Sequence, residues 1–190
     1  MFYDQRKPPI EMRVENIKLR HLRVEDETRF RSAVDEFKAT EPDWAFAFAF
    51  DESGPFSDYV EKLALWTKGK NLPEAFVANT FLVGLVGDTI VGRVSIRHTL
   101  NDFLARIGGH IGYGVVPSHR NRGYATEMLR QALPVASAIG IDRVLITCDD
   151  NNPASRRVIE KNGGIYDGVI ASPESDVPKR RYWINIGDQI

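Results

Sequence analysis

The sequence predicts an α/β fold in which a central mixed sheet is flanked by helices. Three observations carry this. Short runs with period-two or continuous apolar character alternate with longer stretches whose apolar residues recur at helical spacing. The run Arg143-Val144-Leu145-Ile146-Thr147-Cys148 is apolar almost throughout, as in a strand buried in the parallel part of a mixed sheet. The elements follow in the order β-α-α-β-β-β-α-β-α-β-β, which packs helices onto a sheet.

Residues 1–16, charged and containing Pro8-Pro9, read as an N-terminal arm, and residues 17–190 as a single domain. Ile17-Lys18-Leu19-Arg20-His21-Leu22 alternates with period two and predicts a half-buried strand. Asp26 then caps a helix whose apolar face is Phe30, Ala33, Val34 and Phe37. Residues 40–55 are irregular and aromatic-rich. A second helix is expected over 57–68, stopped by Gly69, with Phe56, Val60, Leu63 and Thr67 on one face, widened by Tyr59 and Trp66. Two β-rich runs, 81–86 and 89–96, flank Gly87-Asp88 and predict a hairpin. Residues 100–106 read as a loop, and 109–116 as a strand ended by Pro117.

A long helix is expected to start near Gly123, with Ala125, Met128, Leu129, Ala132, Ala136 and Ile139 buried and Pro134 kinking it. Asn152-Pro153 is an N-cap followed by proline at the first helical position, and that helix should end at Asn162-Gly163. Strands over 164–170 and 180–186 complete the chain.

Composition narrows the function. Hydrophobic residues make up 43% and charged residues 27% of the 190 positions, which is ordinary for a globular domain. The net charge is 25 − 26 = −1, without the basic excess of a nucleic-acid binder. Cys148 is the lone cysteine, so an internal disulfide and a multi-cysteine zinc site are excluded, and no metal is expected. Its apolar neighbours make it a buried strand thiol. The first residues hold no apolar run of signal-peptide length, and no stretch approaches the ~18 apolar residues of a membrane span. The chain therefore reads as cytoplasmic, with no membrane partner.

The chemistry concentrates in Val115-Val116-Pro117-Ser118-His119-Arg120-Asn121-Arg122-Gly123-Tyr124-Ala125-Thr126. A strand ends, a polar turn follows, and a helix opens on small residues. A helix start exposes unpaired N–H groups at the positive end of the dipole. Gly123 and Ala125 let phosphates approach the backbone, and Arg120 and Arg122 add local positive charge. A phosphate cradle and an ordinary strand-to-helix turn with solvated arginines both fit these residues. The nucleotide motifs G-x-x-x-x-G-K-[ST] and G-x-G-x-x-G after a strand are absent.

Arg120-x-x-Gly123-x-Ala125 after a strand ending Val-Val-Pro resembles the cofactor motif of the GNAT N-acetyltransferase superfamily. Asn152-Pro153-Ala154-Ser155 through Glu160-Lys161-Asn162-Gly163-Gly164 resembles that superfamily's Asn-x-x-Ala/Ser … Glu-Lys-x-Gly-Phe segment. Ile96-Arg97-His98 and Gly108-Gly109-His110-Ile111-Gly112-Tyr113 look most like a bacterial branch of predicted acetyltransferases. The resemblance implies acetyl transfer from acetyl-coenzyme A, as co-substrate, to a primary amine by direct attack. It implies that backbone at Val115 and Val116 pairs with the pantetheine arm, that one of these N–H groups serves the oxyanion, and that N–H groups from Arg122 through Gly123, Tyr124, Ala125 and Thr126 hold the pyrophosphate. Asn152 would approach the reacting centre, and Ser155 the cofactor. A homodimer is left open.

An alkyl amine with a pKa near ~10.4 must lose a proton before attack. His110, where many relatives carry glutamate, is the expected base, ahead of His98 on the core face; His119 and His21 fit cofactor contact and solvent. Ile159 stands where many relatives place a tyrosine acid, so Tyr124, Tyr166, Tyr182, Ser155 or water must protonate the leaving thiolate. Trp44, Phe46, Phe48 and Phe50 alternate with alanines and either wall the acceptor site or fill the core. Glu41, Asp43, Asp51 and Glu52 either attract a cationic amine or form a solvated charge run. The competing functional readings are a non-catalytic acyl-coenzyme A binding module and an acyltransferase acting on a protein amine.

Overall fold

The structure is a computed structural model that describes residues 16–42, 45–173 and 175–187. All but the last residue of the expected arm lie outside the described residues, as does Trp44. The main elements are β1 (Lys18–His21), α1 (Glu27–Thr40), α2 (Phe56–Thr67), β2 (Asn79–Val86), β3 (Thr89–Arg97), β4 (Ile111–Val115), α3 (Tyr124–Ala138), β5 (Arg143–Asp149), α4 (Pro153–Lys161), β6 (Ile165–Ile170) and β7 (Lys179–Asn185). This is the expected order.

The predicted sheet is divided. Strands β1-β2-β3-β4 form one antiparallel sheet and β5-β7-β6 another. The parallel part expected at β5 is not formed: β5 pairs antiparallel with β7 and shares no ladder with β4. Its apolar run is explained by burial instead: Val144 and Ile146 pack with α3 and with Ile159 of α4, and Leu145 is also fully buried.

The hydrophobic alternation sorts side chains onto two faces. Leu82, Val94, Ile96, Ile111 and Val115 pack with Met128, Leu129, Ala132 and Ala136 of α3. Phe81 and Val83, their odd-numbered neighbours on β2, pack with Phe30, Val34 and Phe37 of α1 and with Tyr59, Leu63 and Trp66 of α2. Pro134 lies on the exposed side of α3, and the helix continues past it to Ala138. Asp26 precedes α1 as expected but does not cap it. Its buried carboxylate takes Arg20 in two bonds of 2.6 and 2.8 Å and the Arg23 N–H at 2.9 Å.

The stretch expected as a loop before β4 contains a single π-helical turn, Leu104–Gly108, with Leu104 and Ile107 buried. Asn101 Oδ1 accepts from Leu104 N–H at its start (2.9 Å). Thr147 of β5 donates to Ile107 O (2.5 Å) and Arg181 of β7 to Ala105 O (3.0 Å). The pair Leu104 and Ile107 is too short a pattern to predict a helix, and these long-range bonds fix the turn.

Candidate functional site

β4 and β5 meet at one point and form a fork. His110, just before β4, donates its N–H to Leu145 O (2.7 Å), and its Nδ1 accepts from Leu145 N–H (2.9 Å). Gly109 permits this crossing. Its φ is +65°, and a Cβ there would lie 2.6 Å from Leu145 O. Beyond this splice the strands share no ladder, so one edge of β4 is left without a strand partner among the described residues.

The phase of that edge follows from two bonds. Arg97 N–H donates to His110 O (2.8 Å) and Val116 N–H to Val91 O (2.9 Å). In an antiparallel ladder the bonding alternates, so even-numbered residues of β4 face β3. The main-chain groups of Ile111, Tyr113 and Val115 therefore turn to the open edge. Val115 thus faces the open edge, where its carbonyl accepts from Arg120 Nε at 3.2 Å. Val116 points its N–H the other way, into the sheet. Tyr113 takes its place on the open edge, a residue that the period-two phase of the strand identifies once one bond is known.

The edge leads into the turn and the N-terminus of α3. Gly123 is the N-cap at φ +81°, a left-handed conformation suited to glycine, and has no side chain with which to cap the helix. The N–H groups of Ala125 and Thr126, in the first turn, thus have no intrahelical acceptor. Glu127 also lies in this first turn. It bonds Arg130 (2.6 and 2.8 Å) and Gln131 (2.8 Å), which hold its carboxyl below the ordinary range and turn it down the helix. Ser118 donates N–H and Oγ to Glu36 (2.6 and 3.0 Å), clamping the turn to α1. Arg120 braces the same joint through Glu41 (2.6 Å) and over the Phe37 ring (5.5 Å). Arg122 is exposed and reaches Ser118 O at 3.5 Å. An open strand edge running into an uncapped helix start fits an extended pantetheine arm ending in a pyrophosphate.

Asn152 caps α4 by accepting from Ser155 N–H (2.9 Å). Ser155 Oγ lies 2.8 Å from the Tyr113 hydroxyl, which also donates to Ser155 O at 3.2 Å. This pair bridges β4 to α4 beside the fork. Burial pushes the Tyr113 hydroxyl above its ordinary pKa, so it keeps its proton. Among the other expected acids, Tyr182 reaches Glu160 (3.3 Å), Tyr124 is buried in the core and Tyr166 is exposed on β6.

His110 is half-buried, and burial first and Arg97 second lower its pKa. With Nδ1 accepting, the neutral ring carries its proton on Nε2. His98 Nε2 pairs with Thr80 Oγ1 (2.8 Å), and burial lowers its pKa too. His21 is exposed. Cys148 is a buried strand thiol whose pKa burial raises.

The aromatic segment divides between the core and a cavity. Phe46 is buried, 4.7 Å from the Phe37 ring and 5.9 Å from Phe30. Phe50 packs on Tyr59 (4.8 Å). Phe48 instead lines a cavity of about 360 Å³ with Phe76, Asn79, Ser95, Arg97 and Phe103. The acidic residues are engaged elsewhere: Glu41 with Arg120, Glu52 with Lys38, Asp51 with Ser53 (2.7 Å). Asp43 lies outside the described residues. Arg93, fully buried, holds the loop onto the sheet through Phe46 O (3.1 Å), Ala45 O (2.9 Å) and Gly112 O (3.3 Å), under the Phe48 ring at 4.7 Å. Burial lowers its pKa to about 9. Sequence reading missed Arg93, Arg97 and Tyr113. Two arginines four apart in an otherwise apolar hairpin strand were the available signal for the first two.

A family profile described as "Acetyltransferase (GNAT) domain" matches residues 16–165. Among curated proteins, the uncharacterized N-acetyltransferase YoaA of Bacillus subtilis (strain 168) is 28% identical over 85 residues, covering 39% of this chain. That match spans about half, 48%, of YoaA. Among solved structures, RimJ of Mycobacterium smegmatis in complex with CoA-disulfide matches with a TM-score of 0.69 and 17% identity, over 90% of this chain and 83% of RimJ. The microcin C7 self-immunity acetyltransferase MccE, in complex with acetyl-CoA and AMP, matches with a TM-score of 0.65 and 17% identity, over 89% of this chain and 92% of MccE. At these identities the structural likeness concerns the fold.

Proposed function

Because the chain belongs to the GNAT acetyltransferase family, we propose that it is an acetyl-coenzyme A-dependent N-acetyltransferase, acting on a primary amine at the fork between β4 and β5. The observation that carries this reading is the unpartnered edge of β4 running into the uncapped start of α3. Bound acetyl-coenzyme A supplies an activated acetyl thioester.

The chain's own residues divide the remaining work. N–H groups of Gly123, Tyr124, Ala125 and Thr126 hold the pyrophosphate, with Arg122 adding charge at the rim. Val115 and Tyr113 present main-chain groups to the pantetheine arm, and the N–H groups on this edge are the donors for an oxyanion. Arg120 and Val116 support the turn and the sheet behind it. Asn152 and Ser155 fix the start of α4, which sets Ser155 against Tyr113. The Tyr113 hydroxyl, protonated throughout the neutral range, is the donor for the leaving thiolate and stands in for the tyrosine that Ile159 replaces.

We assign His110 a positioning role. Its Nδ1 lone pair closes the fork against Leu145, and a base would have to release that bond to take a proton. The amine then loses its proton to water. Thermal melts with acetyl-coenzyme A, followed by thiol release with an amine panel, test this reading. A rise in Tm that Gly123→Val abolishes supports the cradle, and amine-dependent thiol release supports turnover. Binding without turnover would favour the acyl-coenzyme A binding module instead.

A further inference from the structure

The face of the sheet opposite α3 is open beside the fork. Gly112 and Gly114 present no side chains there, while the odd-numbered residues of β3 project Arg93, Ser95 and Arg97 onto the same face. The Arg97 guanidinium lies over β4: a side chain at Gly112 would sit 3.4 Å from its Nη1. That nitrogen donates to Gly108 O (3.0 Å) and Gly109 O (3.2 Å), the residues that lead into the fork. Arg97 thus joins the fork to the 360 Å³ cavity that it lines.

The cavity has one kind of charge and two kinds of wall. Phe48, Phe76, Val77, Phe103 and Leu104 make it apolar. Asn79, Ser95 and Asn101 are its neutral polar residues, and each is already tied: Ser95 Oγ to Asn79 Oδ1 (2.7 Å), Asn101 to Ala75 O (2.8 Å) and Leu104 N–H (2.9 Å). Among the described residues no Asp or Glu lines it, and Arg97 forms no salt bridge with a carboxylate. Its Nε and Nη2 likewise bond nothing there. Burial alone lowers the Arg97 pKa to about 10, the mark of a guanidinium desolvated without an opposing charge. Arg97 is half-buried, and a partly desolvated cation without a counter-charge gains from an anionic ligand.

We propose that this cavity takes an acceptor amine that also carries a carboxylate, with the carboxylate on Arg97 and an apolar body against Phe48, Phe76 and Phe103. The proposal rests on the N-acetyltransferase reading above and narrows its acceptor to amino acid-like amines with an apolar side chain. Arg93 and Arg97 together disfavour a polyamine, because a second cation would enter a site already positive.

The test compares amines matched in their hydrocarbon. Phenylalanine, phenylalaninamide, phenethylamine and spermidine are offered with acetyl-coenzyme A, and thiol release is followed. Phenylalanine should lead phenethylamine in kcat/KM by roughly 10–150-fold, the range for hydrogen bonds to a charged group. In parallel, N-acetylphenylalanine should bind the protein in calorimetry, and N-acetylphenethylamine should bind far more weakly. Arg97→Gln should erase both preferences. Because Arg97 also tethers Gly108 and Gly109, Asn79→Asp provides a second variant. Asn79 stands opposite Arg97 in the strand register, and aspartate keeps its shape while supplying a resident carboxylate. It should leave the Tm and the acetyl-coenzyme A shift intact and abolish the carboxylate preference. Equal or faster turnover of phenethylamine or spermidine overturns the proposal while leaving the acetyltransferase reading standing. Carboxylate-selective binding without thiol release keeps the proposal's site and sinks the acetyltransferase reading. No selective binding in calorimetry and no carboxylate preference in turnover sinks the proposal outright.

Discussion

Replacing His110 by alanine and by asparagine separates a strand splice from a general base. Leu145 is fully buried, and its N–H reaches His110 Nδ1 at 2.9 Å. Alanine leaves that donor without an acceptor, at a cost of about 1–3 kcal/mol. For a chain of this length that is a fall in Tm of roughly 2–12 °C. Asparagine carries Oδ1 near the place of Nδ1 and should restore most of the loss, yet it has nothing to titrate. The pH dependence carries a sign. The folded-state pKa of His110 is depressed by burial and by Arg97. Its contribution is complete above the ordinary imidazole pKa of about 6.5 and is lost as pH falls below it, because the unfolded chain takes the proton first. Melts between pH 5 and 8 should therefore show an acid-side loss in the parent that is smaller in His110→Asn, with the part due to His98 remaining. A kcat profile completes the test. A splice predicts that His110→Asn keeps near-parental kcat and the same limb between about pH 6 and 8. If it melts like the parent but loses about 10²–10⁴-fold in kcat together with that limb, the histidine is the base and the splice argument is wrong.

Three further outcomes are expected. At a hundred times its dissociation constant, acetyl-coenzyme A should add about 2.7 kcal/mol to stability, a Tm rise of roughly 5–10 °C; Gly123→Val should remove the rise, and a persisting shift would place the pyrophosphate elsewhere. Phe46→Ala should cost about 3–5 kcal/mol in denaturant unfolding, while Phe48→Ala should mainly raise the acceptor KM; the reverse pattern would move the cavity wall to Phe46. Tyr113→Phe should lower kcat by about 10²-fold or more if its hydroxyl protonates the thiolate, with cofactor binding unchanged in calorimetry; an unaltered kcat would return that proton to water.

The parts of this molecule written in local spacing were readable from the chain. Phe30, Ala33, Val34 and Phe37 form the buried face of α1 because their repeat is that of a helix. Asn152-Pro153 opens α4 with the cap its residue types require. The strand, polar turn and glycine before α3 were readable for the same reason. The fork was not readable, because it depends on His110 and Leu145, 35 residues apart, meeting through both backbone and side chain. That Tyr113 faces the open edge and Val116 the sheet was not readable, because bonding phase belongs to the pair of strands, not to one of them. The cavity is assembled from residues 48, 75–77, 79, 95, 97, 101, 103 and 104, which no single period connects. The alternating aromatics did not make a strand. Residues 46–49 run through bends and turns, with Ala49 at φ +49°, and Phe46 lies in the core while Phe48 lines the cavity.

Amine-dependent thiol release from acetyl-coenzyme A, with the acetylated product weighed by mass spectrometry, tests the central claim most directly. One thiol and one N-acetyl product per turnover are expected, only when amine and protein are both present, with loss of both in Gly123→Val. A protein whose Tm rises with acetyl-coenzyme A but which releases no thiol with any primary amine, including those bearing a carboxylate, would contradict it.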